Sequence, residues 1–153
     1  MTKHIPGLTI AIEAQRIAAL RSYQVVDAAS VDGLERIAAL TSASLGVPAA
    51  WFAFVDEESC RPQACIGIEG VSAPRAGSPC EASLSGKGSV VIPDLDADVR
   101  FSGDQSRPEL KGFRFYAGAA LKTERGDRIG VLCVADTKPK STFSAAQARL
   151  LAN

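Results

Sequence analysis

The chain has 153 residues, 46% of them hydrophobic, which suffices for one sizeable core and leaves little room for a second domain. Seventeen basic residues balance seventeen acidic ones, so no net field draws it to nucleic acid or to an anionic membrane surface. No run approaches the ~18 apolar residues of a membrane-spanning helix, and Met1 to Thr9 lacks the apolar stretch of a signal peptide. The expectation is a single cytoplasmic domain over residues 1–153, flexible over residues 1–9.

A first helix is predicted over Ile10 to Tyr23, with Ile10, Ala14, Ile17 and Ala18 at helical spacing. A second follows Ser30 as N-cap, its apolar face formed by Leu34, Ile37, Ala38, Thr41 and Leu45, and Gly46 and Pro48 stop it. Ala49 to Val55 then alternates, with Trp51, Ala53 and Val55 on one side and Phe52 and Phe54 on the other, the pattern of a central strand covered on both faces. Asp56 to Ser59 is a polar turn, and Gln63 to Ile68 a partner strand that Pro62 marks as an edge or a late start. Glu69 to Pro79, rich in Gly, Pro and Ser, is a covering loop.

A short helix from about Cys80 to Leu84 leads to the β-branched strand Ser89 to Ile92. Leu95 to Gly112 is polar and irregular, with short helical turns at most, and is placed over a pocket. Phe113 to Asp136 reads as two strands joined by a polar turn, in which Gly126 supplies the positive φ of the reversal. Ser144 and Gln147 form a capping box for a last helix from about residue 145. It is short against the roughly three turns usual in globular proteins, so we expect it to be cut from a longer helix leading to another domain.

Cys60, Cys65, Cys80 and Cys133 have neither zinc-site spacing nor the density of a secreted disulfide scaffold, so reduced thiols and no metal are expected. The only histidine, His4, stands in the N-terminal segment, which argues against Cys-His or Ser-His catalysis. Gly86-Lys87-Gly88-Ser89 fails as a phosphate loop because Glu81 and Gly88 occupy the positions of its first glycine and its hydroxyl residue.

Several strings resemble the GAF domain family across nearly the whole chain. They are Ser78-Pro79-Cys80, Ile92-Pro93-Asp94 with Arg100-Phe101, Arg114-Phe115-Tyr116-Ala117-Gly118-Ala119-Ala120-Leu121, and Ile129-Gly130-Val131-Leu132-Cys133-Val134-Ala135-Asp136. The resemblance implies an α+β fold of the profilin/PAS-like kind. Its antiparallel sheet of five or six strands carries the terminal helices on one face and a loop-covered pocket on the other. It also implies a regulatory position upstream of a histidine kinase, cyclase or phosphodiesterase output domain. Pro79, Ala82 and Arg61-Pro62 depart from the family pattern by lacking two aromatics and an imidazole; Glu81 after Cys80 disfavours bilin attachment, and the cyclic-nucleotide signature is missing.

The candidate ligand-binding set is Cys80, Asp94, Phe101, Arg114, Tyr116 and Asp136. Cys80 at the start of a short helix is the best reactive thiol, or else a buried structural one, whereas Cys133 reads as inert and Cys60 and Cys65 as facing each other across a turn. Arg114 and Tyr116 share a strand face opposite Phe113 and Phe115. They point either into the pocket, to hold a carboxylate, phosphate or planar ring, or toward a salt bridge of Arg114 with Asp94 or Asp136. Asp94 and Arg100 read alternatively as partners that fix the loop.

The expected function is a non-catalytic small-molecule sensor, of unknown ligand and cofactor, coupled through its terminal helices to an output domain. Homodimerisation through Ile17, Leu20 and Leu150 is the ligand-free alternative. The enzymatic alternative is a free-methionine sulfoxide reductase using Cys80, with a resolving thiol recruited from Cys60 or Cys65.

Overall fold

In a computed structural model the described residues are 7–23, 28–69, 72–75, 78–85, 89–101, 110, 112–123 and 126–140. They form helices α1 (Gly7–Tyr23), α2 (Ala28–Leu45) and α3 (Pro79–Ser85). The strands are β1 (Ala49–Val55), β2 (Ser59–Ile66), β3 (Ala73–Pro74), β4 (Ser89–Ile92), β5 (Phe115–Lys122) and β6 (Arg128–Asp136). All strand pairs are antiparallel, in the order β3-β2-β1-β6-β5-β4. The predicted last helix, with its Ser144–Gln147 box and Leu150, lies outside the described residues.

β1 sits inside the sheet as its two-sided alternation requires, and its side chains divide between two cores. Phe52, with Phe115, Ala117 and Leu132, packs toward Ala38 and Leu45 of α2. Trp51, with Tyr116 and Cys133, packs toward Cys80 and Leu84 of α3. Period-two burial along β1, β5 and β6 thus builds one core on each face of the sheet. Gly126 takes a φ of 88° in the β5–β6 turn, as expected, and its N–H donates to Thr123 O.

α2 begins at Ala28, so Ser30 lies inside the helix rather than capping it. Its buried stripe runs through Ala38 and Leu45, while Ile37 points outward at 49% exposure. On α1, Ala14 and Ala18 are exposed, and the residues turned inward are Arg16, Ile17 and Leu20. Ile17 and Leu20 are therefore committed to the domain's own packing and cannot supply the dimer surface expected of them. Among the helix residues whose burial is described, the large apolar ones left outside are Ile12, Ile37 and Leu40.

β2 starts four residues earlier than predicted and runs through Pro62. This costs little because β3 pairs only with Ser59 and Cys60, leaving Pro62 beyond its end. Between the pairs Ala50–Ile66 and Phe52–Gln63, β2 carries one extra residue, with Ala64 at a φ of 53°. That bulge resets the alternation, so Cys60 and Cys65 both pack on the α3-side core. They are two residues of one strand and do not face each other across a turn.

Candidate functional site

The face of the sheet covered by α3 carries the polar chemistry. Cys80 and Ser83 reach inward from α3, Tyr116 from β5 and Cys133 from β6, all fully buried. Ser83 Oγ donates to Pro79 O at 3.0 Å and lies 2.8 Å from Tyr116 Oη. Tyr116 Oη in turn lies 3.4 Å from Cys133 Sγ, which is 3.9 Å from Cys80 Sγ. Burial, followed by the neighbouring Cys133 and Cys80, pushes the Tyr116 phenol well above its ordinary value, so its proton stays in place near neutrality.

Gly118 makes this arrangement possible. It pairs with Cys133 across the β5–β6 ladder, and a Cβ there would stand 2.4 Å from Tyr116 Oη and 2.6 Å from Ser83 Oγ. The missing side chain lets α3 settle against β5. Trp51 packs its ring 6.4 Å from that of Tyr116, and its buried Nε1 has no hydrogen-bond partner among the described residues. An unmatched indole N–H in a core is costly.

Leu95, Phe101 and Leu110 from the segment between β4 and β5 bury themselves in the same core. These apolar anchors hold the described residues of the segment on the sheet, and residues 95–101 form the turns predicted for them.

The six sequence-predicted residues fall into two groups. Cys80, Phe101 and Tyr116 meet in the α3-side core. Asp94, Arg114 and Asp136 gather at the end of the sheet, outside it. Arg114 Nη2 contacts Asp94 Oδ2 at 2.6 Å and its Nε lies 3.4 Å from Asp96 Oδ2. The Arg114 hydrogen bond holds the Asp94 carboxyl below its usual range. The Arg114 N–H donates to Asp136 O at 2.8 Å, while the Asp136 carboxylate pairs with Lys140 at 3.4 Å.

Of the two readings of Arg114, the salt bridge to Asp94 is the one observed, and the shared face with Tyr116 does not hold. β5 begins only at Phe115, and Phe113 packs on the same core as Tyr116. Arg100 pairs with Asp98 at 2.8 Å and covers the Phe101 ring at 4.7 Å.

A second constellation joins α1 to α3. Glu13 accepts two hydrogen bonds from Arg16, each 3.0 Å, and one from Arg75 Nη1 at 2.7 Å. Arg16, 5% exposed, also donates to Val55 O at 2.6 Å and Arg128 O at 3.2 Å. Arg75 donates to Asp56 O at 3.1 Å, and its Nε stands 3.2 Å from Glu81 Oε2 on α3. Burial pushes the Glu13 carboxyl up, but the hydrogen bonds and charges of Arg16 and Arg75 outweigh it and bring it from 4.5 to about 2.

Sequence reasoning missed Glu13, Arg16, Ser83, Trp51 Nε1 and Arg75 as parts of a site. The contacts that place them there, such as Arg16 with Val55 O and Arg128 O, Arg75 with Glu13, and Ser83 with Tyr116, join residues far apart in the chain, so no spacing announces them. The retrievable signal was Cys133, which shares with Val131 and Ala135 the β6 face turned to α3.

A sequence model of the family described as GAF domain matches residues 12–153. The chain is 32% identical over 120 residues to "Cyclic di-GMP phosphodiesterase PA2567" of Pseudomonas aeruginosa, a match covering 76% of this chain and 20% of that protein. The chain thus spans about a fifth of the length of that relative.

Among solved structures, the GAF domain of an Acinetobacter phosphoenolpyruvate-protein phosphotransferase superposes with a TM-score of 0.61 at 16% identity, covering 94% of this chain and 85% of that one. A free methionine-R-sulfoxide reductase from Neisseria meningitidis, in complex with its substrate, gives 0.61 at 20% identity, covering 99% and 88%. At these identities the two structures establish the fold.

Proposed function

The chain belongs to the GAF domain family, and from that premise we propose that it is a non-catalytic sensory domain acting on an output domain of a cytoplasmic signalling protein. Residues 1–153 constitute one such domain in this reading. The observation that carries it is the Glu13–Arg75–Glu81 bridge. In this reading the bridge couples the two helices: Arg75 Nη1 is hydrogen-bonded to Glu13 and its Nε lies at ion-pair distance from Glu81, so a displacement of α3 changes the charges that face α1.

The ligand is a small molecule held on the α3 side of the sheet by Cys80, Phe101 and Tyr116, with Trp51 Nε1 as an available donor. Asp94, Arg114 and Asp136 lie outside this set, at the end of the sheet. Buried donors without a fixed counter-charge suit an uncharged acceptor such as a carbonyl or sulfoxide oxygen better than a phosphate.

The test is thermal stabilisation of the purified protein by metabolite pools, followed by calorimetric titration of any hit. A ligand is expected to raise the melting temperature and to perturb the emission of Trp51, the only tryptophan. Pools that produce neither heat nor stabilisation refute ligand sensing and leave self-association through exposed Ile12, Ile37 and Leu40 as the role.

A second reading, reduction of free methionine sulfoxide, is favoured by the 3.9 Å approach of Cys80 to Cys133, which places a second thiol in contact with Cys80. Turnover of methionine sulfoxide with a thiol reductant, abolished by Cys80→Ser, would establish it in place of the sensor.

A further inference from the structure

We propose that Cys80 and Cys133 are a redox modification site that a hydroperoxide converts into an intramolecular disulfide joining α3 to β6. The sulfurs stand 3.9 Å apart with nothing between them, the approach of two reduced thiols in contact. Closing to the ~2.05 Å of a disulfide brings the two sulfurs nearer by about 2 Å. Cys60 instead has its sulfur 3.7 Å from Ser78 Oγ, and Cys65 sits beyond the bulge.

The order of steps follows from the position of the two thiols. Cys133 lies in β6 between β1 and β5, whereas Cys80, itself only 2% exposed, belongs to a short outer helix whose neighbours Glu81 and Ala82 are partly exposed, so Cys80 is, in this proposal, the thiol oxidised first. The Cys80 sulfur attacks the terminal oxygen of the hydroperoxide, the O–O bond breaks, and the thiol proton leaves with the departing alkoxide as an alcohol. This gives a sulfenic acid on Cys80. The Cys133 sulfur then displaces that oxygen, which leaves as water with the Cys133 proton, and the S–S bond forms. Two electrons pass from the two sulfurs to the peroxide, and one alcohol and one water result. Tyr116 Oη, hydrogen-bonded toward Cys133 Sγ, keeps that sulfur turned to Cys80.

The test is oxidation of the reduced protein with hydrogen peroxide, with thiol titration, intact mass and peptide mapping. Free thiols are expected to fall from four to two, the mass by two hydrogens, and the cross-linked peptides to contain Cys80 and Cys133. Trp51 pairs with Cys133 across the β1–β6 ladder, so its emission should be quenched by the disulfide and recover with dithiothreitol.

The double variant Cys60→Ser/Cys65→Ser should still lose two thiols. Cys133→Ala should instead accumulate a Cys80 sulfenic acid that dimedone traps. Cross-links through Cys60 or Cys65, cross-links between chains, or over-oxidation without a cross-link in the wild-type protein would each overturn the proposal. No ligand enters the experiment, so its failure leaves the sensory reading standing.

Discussion

Neutralising Glu13 should remove a measurable, pH-dependent part of the domain's stability. Its carboxyl is lowered in the folded chain from 4.5 to about 2. At about 1.4 kcal/mol per unit this corresponds to roughly 3 kcal/mol. With 26% of the side chain exposed, solvent screening reduces the expected contribution to about 1–2 kcal/mol. Because the folded pKa is the lower one, this stability is fully present above pH 4.5 and is lost as the pH falls through the folded value near 2.

Glu13→Gln should therefore cost about 1–2 kcal/mol at pH 7 and lose the corresponding acid limb. Arg75→Gln should cost about 1–2 kcal/mol, since Glu13 and Asp56 O each lose one hydrogen bond while keeping those from Arg16. In urea denaturation from pH 7 to 2, the wild-type-minus-Glu13→Gln difference isolates this group from Asp56, Asp94 and Asp98, which are also lowered. The double variant should show a coupling of about 1 kcal/mol or more. Strict additivity of the two substitutions, together with a difference that stays flat across the acid range, would refute the network's role.

Gly118→Ala should destabilise by about 1–3 kcal/mol in the same urea assay, because the new methyl meets Tyr116 Oη, Ser83 Oγ and Val131 Cγ1 closer than any real Cβ contact; unchanged stability would mean that α3 does not rest against β5. Arg114→Gln should leave both the urea midpoint and any ligand heat nearly unchanged, since its pair with Asp94 is solvent-accessible. Loss of ligand heat in that variant would return Arg114 to the binding set.

Elements governed by a single period were legible. β1, the β5–β6 pair and the Gly126 turn follow from alternation and one positive φ, and β4 from its β-branched residues. Errors arose where tertiary contacts overrode that period. The narrow apolar stripe of α1 was read through Ala14 and Ala18, but the helix turns Arg16 inward because three carbonyl groups, of Val55, Asp56 and Arg128, await its guanidinium. The bulge at Ala64 shifted Cys65 onto the other face, and a register change of one residue leaves no mark on composition. Within the site, Cys80, Phe101 and Tyr116 were found because family strings carry them. The charged residues Asp94, Arg114 and Asp136 were placed beside them for the same reason, although their own charges satisfy one another or Lys140 at the edge of the sheet.

The two cores differ in a way that bears on why α3 exists at all. The α2-side core is built from residues such as Phe52, Phe115 and Val134 and could hold the sheet with hydrocarbon alone. The α3-side core spends burial on a serine, a phenol, two thiols and an unmatched indole N–H, groups that lower stability relative to aliphatic packing of the same volume. A purely structural lid would gain by replacing them. Here the helix that covers them also carries Glu81, and the arginine that meets Glu81 is the one that holds Glu13. In the proposed sensory reading, a change in the polar core that displaces α3 also alters the ion pairs of Arg75 with Glu81 and Glu13. Chemistry on one side of the sheet is, in that reading, tied to the position of α1.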